Sequence, residues 1–157
     1  MIDRRLDEIL QSLKSVSGKI QLFVIGIEKK VIPSNNVEIY FKNTMSQKEL
    51  INFLSDKHFV LKSSAFDTFS IFVAECMLVG LIPIVNKNIG ITEFIFHEHN
   101  GFIYDITSTD SLSKLMNNIS EGKYDLNQIS MNAKNIFEKL NWGKISNQYI
   151  AAYNSVL

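Results

Sequence analysis

With 157 residues, 46% of them hydrophobic and 20% charged, the chain has the length and composition of one globular domain and not of a disordered segment. Lys and Arg total 16, as do Asp and Glu, so the formal charge is zero, which argues against a nucleic-acid binder relying on phosphate neutralisation. The single Cys76 has no partner for an intramolecular disulfide, fits a reducing, cytoplasmic setting, and lies in an apolar run where a buried structural thiol is expected.

The first ten residues, MIDRRLDEIL, are charged and lack the apolar core of a signal peptide. Leu6, Ile9, Leu10 and Leu13 share one helical face, so Ile2–Val16 is expected to be a helix ended by Ser17–Gly18. Lys19–Gly26 is a near-continuous apolar run, expected as a strand covered on both faces. Residues 28–36 are polar, contain Pro33 and are expected to form a loop. Val37–Phe41 is a second strand. Ser46-Gln-Lys-Glu49 is a capping-box pattern opening a helix with Leu50, Ile51 and Leu54 inward.

His58–Leu61 is a third strand, and Ser70–Val79 a helix with Ile71, Ala74, Met77 and Leu78 inward. Leu81–Val85 is a short buried strand, whose Pro83 points to an edge position or to irregular pairing. The apolar window Phe69–Val85 is shorter than the ~20 residues of a membrane-spanning helix. A short helix at Thr92–His97, a strand at Gly101–Tyr104, and helices at Thr109–Glu121, Leu126–Leu140 and Ile145–Val156 complete the chain. Strands and helices alternate throughout, which implies an α/β fold: a parallel sheet with helices on both faces, in one domain over residues 1–157. Such sheets bind ligands at the carboxyl ends of their strands. No Gly-x-Gly-x-x-Gly and no Walker loop is present, so ordinary dinucleotide and ATP readings lose support.

The stretch Leu61–Asp105 carries the chemistry. Ser63-Ser-Ala-Phe-Asp-Thr-Phe-Ser70 joins a strand to a helix, and the free N–H groups near Ser70 and Ile71 suit an anion such as a diphosphate. Glu75 lies about one turn further in, where a carboxylate can accept from the two hydroxyls of a ribose. Asp67 precedes the helix, at the end where a sugar would lie. Were one helix to run through both acids, eight residues at ~100° each would leave them about 80° apart. The plainer alternative is that Asp67 caps the helix and Glu75 pairs with a Lys.

Phe66-Asp-Thr-Phe-Ser-Ile-Phe-Val-Ala-Glu-Cys-Met-Leu-Val-Gly-Leu-Ile-Pro-Ile-Val85 resembles the signature of the retaining glycosyltransferases of family four, in which an acid, seven residues and a Glu precede a small residue, Met and Gly-x-Pro-Val-Val. The resemblance continues through Asn88-Ile-Gly-Ile-Thr-Glu93, Asn100-Gly-Phe-Ile103 and the Trp142-Gly-Lys-Ile-Ser-Asn-Gln-Tyr-Ile tail. It implies the Rossmann-like C-terminal half of a GT-B fold. By the same resemblance Asp67 contacts the donor sugar as the catalytic acid position, and Thr68, Phe69, Ser70 and Ile71 form the turn that meets the sugar and diphosphate. Glu75 holds the ribose, and Gly90 and Glu93 belong to a loop beside the site.

Three residues depart from the pattern: Asp67 stands for the usual Glu, Ser70 for a usual Gly, and Ile89 for the first of two glycines. The family's Arg and Lys upstream of the first helix, and its N-terminal acceptor domain, have no counterpart here; Arg4 and Arg5 do not match that motif. The isolated chain is therefore expected to bind donor weakly and to turn over slowly or not at all.

The implied function is transfer of a hexose from a UDP- or GDP-sugar to a glycan or lipid-linked acceptor in surface-polysaccharide assembly, with no cofactor, no metal and no nucleic acid, and with room for peripheral membrane association of the full enzyme. The alternatives are a non-catalytic nucleotide-sugar-binding or regulatory domain and a GT-B nucleotide-sugar epimerase fragment. His97 and His99 flank Glu98, but no third metal ligand is evident. His58 is expected to be structural. Trp142, Tyr149 and Tyr153 are expected to pack the last helix onto the sheet, and Lys29 and Lys30 to lie in a solvated loop.

Overall fold

The computed structural model describes residues 3–26, 36–108 and 110–156. All of the loop expected over 28–36 except Asn36, and so Lys29, Lys30 and Pro33, lies outside them, as do the side chains of Arg4 and Arg5. The elements run α1 (Asp3–Leu13), β1 (Ile20–Ile25), β2 (Val37–Lys42), α2 (Gln47–Leu54), β3 (Phe59–Lys62), α3 (Ile71–Leu78), β4 (Ile82–Asn86), a 3-10 turn (Gly90–Phe94), β5 (Phe102–Tyr104), α4 (Ser111–Ser120), α5 (Leu126–Lys134), α6 (Phe137–Leu140) and α7 (Trp142–Asn154).

All strand pairing within these elements is parallel. β1 pairs with β2 from Ile20↔Val37 to Ile25↔Lys42. β4 lies between β3 and β5, with Phe59↔Ile82 on one side and Ile84↔Phe102 on the other. One core joins the two sets of strands: Leu6, Ile9, Leu10 and Leu13 of α1 and Leu112 and Leu115 of α4 pack against Val37, Ile82, Ile84, Phe102 and Tyr104. A second core lies around α3, where Val73, Ala74, Cys76 and Met77 meet Val60, Val85, Ile91 and Ala133. Helices thus cover β4 on both sides, and every one of its residues is buried.

Several expectations are corrected. β1 is only half-buried: Ile20, Leu22 and Val24 join the first core, while Gln21 is exposed and Phe23 stacks on Tyr40. α2 has the expected capping box at Ser46 and Glu49, but Ile51 points outward and Phe53 takes its inner place. On α3 the inward residues are Val73, Ala74, Cys76 and Met77, whereas Ile71 is 69% exposed and Leu78 is exposed too. That helix is apolar at nearly every position, so its periodicity does not select a face.

β4 is a central strand, not an edge. Pro83 is tolerated because it precedes the β5 pairing, which starts at Ile84. The helix expected at Thr92–His97 is the shorter 3-10 turn, and the one at Leu126–Leu140 is divided into α5 and α6. No described residue of α7 is buried, and Trp142, Tyr149 and Tyr153 are 80%, 62% and 66% exposed, so they do not pack the helix onto the sheet. Among the described residues no helix is long and apolar enough to cross a membrane.

Candidate functional site

The site forms where β3 and β4 end. Lys62 closes β3, and the chain then crosses to α3 through residues 63–70. This crossing is anchored from below by Asn86, the last residue of β4, which is fully buried. Its amide nitrogen donates to the carbonyls of Ser64 (3.1 Å) and Ala65 (3.2 Å), and its amide oxygen accepts from the Ile106 N–H at 3.4 Å. A buried amide is costly unless its groups are paired, so these bonds specify the loop as well as satisfy Asn86.

Above that anchor, the loop of Asp67 is joined to the loop of Gly90. The Gly90 N–H donates to the Asp67 carbonyl at 2.9 Å, and Asp67 and Ile89 form a parallel bridge. A Cβ on Gly90 would lie 1.8 Å from the Thr68 carbonyl oxygen. Glycine is required here for space between two backbones. Ile89, in the place of a usual glycine, is buried in the second core with extended backbone. Phe69 packs edge-on against Phe94, ring centres 5.7 Å apart, which seats the 3-10 turn that carries Glu93.

The Asp67 carboxylate is engaged at both oxygens. Oδ1 accepts from the Phe69 N–H at 3.2 Å, and Oδ2 lies 2.9 Å from Lys62 Nζ. The Lys62 ammonium, aided by the Phe69 and Ser70 amides, holds this carboxyl below the ordinary carboxylate value despite partial desolvation. Asp67 does not cap α3: Ser70 occupies the N-cap position, without a side-chain capping bond and with φ 71° and ψ 73°, in the left-handed region that favours glycine. The Ser70 hydroxyl is buried and has no hydrogen-bond partner among the described residues. Nor do the Ile71 and Phe72 N–H groups of the first turn meet an acceptor there.

Glu75 lies one turn into α3, so no single helix carries both acids and the 80° separation does not apply. Its half-buried carboxylate forms no hydrogen bond or ion pair with a described residue. The Lys pairing considered for Glu75 belongs instead to Asp67. Cys76, next to it, is buried in the second core, and burial pushes its thiol up to about 12, with Glu75 adding to the shift. Thr68, Ile71 and Glu93 are exposed.

The structure thus brings Asp67, Thr68, Phe69, Ser70 and Gly90 into one unit, with Glu93 attached through Phe94 and Glu75 on the helix beyond. Lys62 and Asn86 were missed by sequence reasoning. Their signal was position: each is the last residue of a parallel strand, where such sheets bind ligands. The same rule points to a cavity of about 310 Å³ at the ends of β1 and β2, lined by Ile25, Gly26, Thr44, Met45, Leu50 and Phe72. Among the described residues no group of three metal-ligating side chains occurs. His97 accepts the Ile103 N–H through Nδ1, and the His99 carbonyl accepts from Asn132.

Known structures share this architecture. The Anabaena protein HepE, solved with UDP and glucose, superposes with a TM-score of 0.71 at 19% identity, over 96% of this chain and 44% of its own. Sucrose-phosphate synthase from Thermosynechococcus elongatus gives 0.72 at 14% identity, over 98% and 43%. The catalytic domain of cholesterol-alpha-glucosyltransferase from Helicobacter pylori gives 0.67 at 14% identity, over 85% and 89%. At these identities the likeness establishes the fold, the Rossmann-like half of GT-B glycosyltransferases. The chain spans less than half the length of HepE and of the synthase. No curated protein matches it significantly in sequence. The sequence model described as "Glycosyl transferases group 1" matches residues 3–136, and the chain belongs to that family.

Proposed function

We propose that this chain is the nucleotide-sugar-binding domain of a retaining glycosyltransferase that moves a hexose from a UDP- or GDP-sugar to a glycan or lipid-linked acceptor. The observation that carries this reading is the open start of α3: among the described residues its first two backbone N–H groups meet no acceptor, and the half-buried carboxylate one turn later meets no partner. A helix N-terminus favours a diphosphate, because its amides point outward and its dipole is positive there. In this reading Glu75 accepts hydrogen bonds from two vicinal ribose hydroxyls. The apolar cavity beside Phe72 offers a surface for the base.

In this reading Asp67 addresses the hydroxyls of the sugar, on the far side of the diphosphate from Glu75. When the sugar departs through an oxocarbenium-like transition state, negative charge grows on the diphosphate. Donors already aimed at that position, the α3 amides, stabilise it without reorganising. Thr68, Phe69, Ser70 and Ile71 shape the turn around the diphosphate, and Gly90 and Glu93 border it. No cofactor is needed beyond the donor. The acceptor is held by a second lobe outside these 157 residues, in a cytoplasmic enzyme of surface-polysaccharide assembly. HepE, seen with UDP and with UDP-glucose, supports this ligand class.

Calorimetric titration with UDP, GDP and their sugar conjugates tests the proposal. Binding is expected in the micromolar-to-millimolar range, and Glu75→Ala should weaken it by ~1–3 kcal/mol, the loss of charge-assisted hydrogen bonds. If no nucleoside diphosphate or nucleotide sugar binds, the reading fails.

A further inference from the structure

Lys62 has a role that motif reasoning does not assign. It ends β3, in register with Val85 of the fully buried β4, and its carbonyl accepts from the Tyr104 hydroxyl at 3.3 Å. Its backbone is therefore fixed. The backbone of Asp67 is fixed as well, by the Gly90 N–H and the bridge to Ile89. Between these two anchors the Lys62 ammonium lies 2.9 Å from Asp67 Oδ2, and the two side chains are only 25% and 27% exposed.

Ion pairs at a surface contribute little to stability, because water screens them and ordering two side chains costs entropy. This pair is different in placement: it is partly sheltered, and it sets the direction of the one carboxylate expected to touch sugar. It also leaves capacity. A carboxylate has roughly four acceptor positions, of which the described residues use those facing Lys62 and Phe69. An ammonium has three N–H bonds, and the contact to Asp67 is its ion pair among the described residues. A hydroxyl both donates and accepts, so an acceptor and a donor within one hydrogen bond of each other match two neighbouring hydroxyls of a sugar.

We propose that Lys62 is a specificity-determining residue of this site: it holds Asp67 in its working direction and gives its remaining N–H bonds to the sugar of the nucleotide sugar. The proposal rests on the donor-binding reading above and deepens it, since it assigns Lys62 to the sugar and not to the diphosphate.

The test compares UDP-glucose with UDP, and GDP-mannose with GDP, on the full chain by equilibrium binding. For whichever pair the wild type binds, Lys62→Met should lower affinity for the nucleotide sugar about 10-fold, as expected for losing a charged hydrogen bond. Affinity for the free diphosphate should change less than about 2-fold. Lys62→Arg should recover most of the loss, and Lys62→Met combined with Asp67→Asn should lose little more than either alone, because the two act as a unit. Equal loss for diphosphate and nucleotide sugar would overturn the proposal, making Lys62 a phosphate cation. A lowered unfolding temperature with unchanged affinities would overturn it too, leaving a structural ion pair. Should the Met variant not fold, Lys62→Gln carries the same two ratios. Binding of none of the four ligands by the wild type would instead remove the underlying donor-site reading, and this assignment with it.

Discussion

The two acids of the site differ in how much of their surroundings is already made. Asp67 is held at three points: its carbonyl by Gly90, one carboxylate oxygen by the Phe69 amide, the other by Lys62. Glu75, half-buried on α3, has no polar partner among the described residues. The loop acid is held in place before any ligand arrives. The helix acid has been left with its acceptor capacity unspent, which is the condition for a ligand to gain from it. Preorganisation and availability are thus divided between two residues eight positions apart.

The strongest way to break the preset half is Gly90→Ala. The new Cβ would lie 1.8 Å from a backbone oxygen, so one of two tied loops must move. Overpacking of this kind costs about 3 kcal/mol. Denaturant unfolding should show that loss, with nucleotide-sugar binding reduced beyond it. A stable variant with wild-type affinity would mean that the two loops are not a unit.

The Lys62–Asp67 pair should be visible in acid. Its carboxyl is held below the ordinary value of 3.8, so the folded state binds this proton less readily than the unfolded chain. The pair therefore stabilises the fold fully above that value, and its contribution is lost as pH falls below 3.8 and through the lower folded value. The stability difference between wild type and Lys62→Met should shrink over that window and be constant above it. A difference that grows on acidification would contradict the pairing.

A smaller effect of opposite sign belongs to the hinge between the two acids. Ser70 has a left-handed backbone and a buried hydroxyl without a partner among the described residues, so Ser70→Gly relieves strain and forfeits no hydrogen bond to them. It should stabilise by about 1 kcal/mol in thermal unfolding. A loss of stability would show that the hydroxyl is bonded after all. Smallest of all is Trp142→Ala, expected to change stability by no more than about 0.5 kcal/mol, since that side chain is 80% exposed. A cost above about 2 kcal/mol would place α7 in a packed interface.

The order of elements was legible because apolar period and turn residues act locally. The capping box at Ser46 formed as its spacing implies, since an N-cap and its third residue meet within one turn. The Ser70-to-Val79 segment was legible as a helix, yet its inner face was not: Ile71 and Val73 are equally apolar, and only packing against Val60, Val85 and Ala133 selects Val73. The aromatic residues of α7 failed for the reverse reason. Size and spacing made Trp142, Tyr149 and Tyr153 look like a packing face, but within these residues nothing covers them.

By itself the sequence determined an alternating α/β chain and the loop-to-helix step at Asp67–Ser70, which are consequences of neighbours along the chain; the ligand expected at the two acids came from the family resemblance and not from their spacing. Tertiary structure alone decided that Asp67 is paired with Lys62 and tied to Gly90, that Asn86 carries the loop from beneath, and that Glu75 is left without a partner among the described residues. Those outcomes depend on which strand ends lie side by side, and in a parallel sheet that is set by long-range pairing that no local spacing encodes.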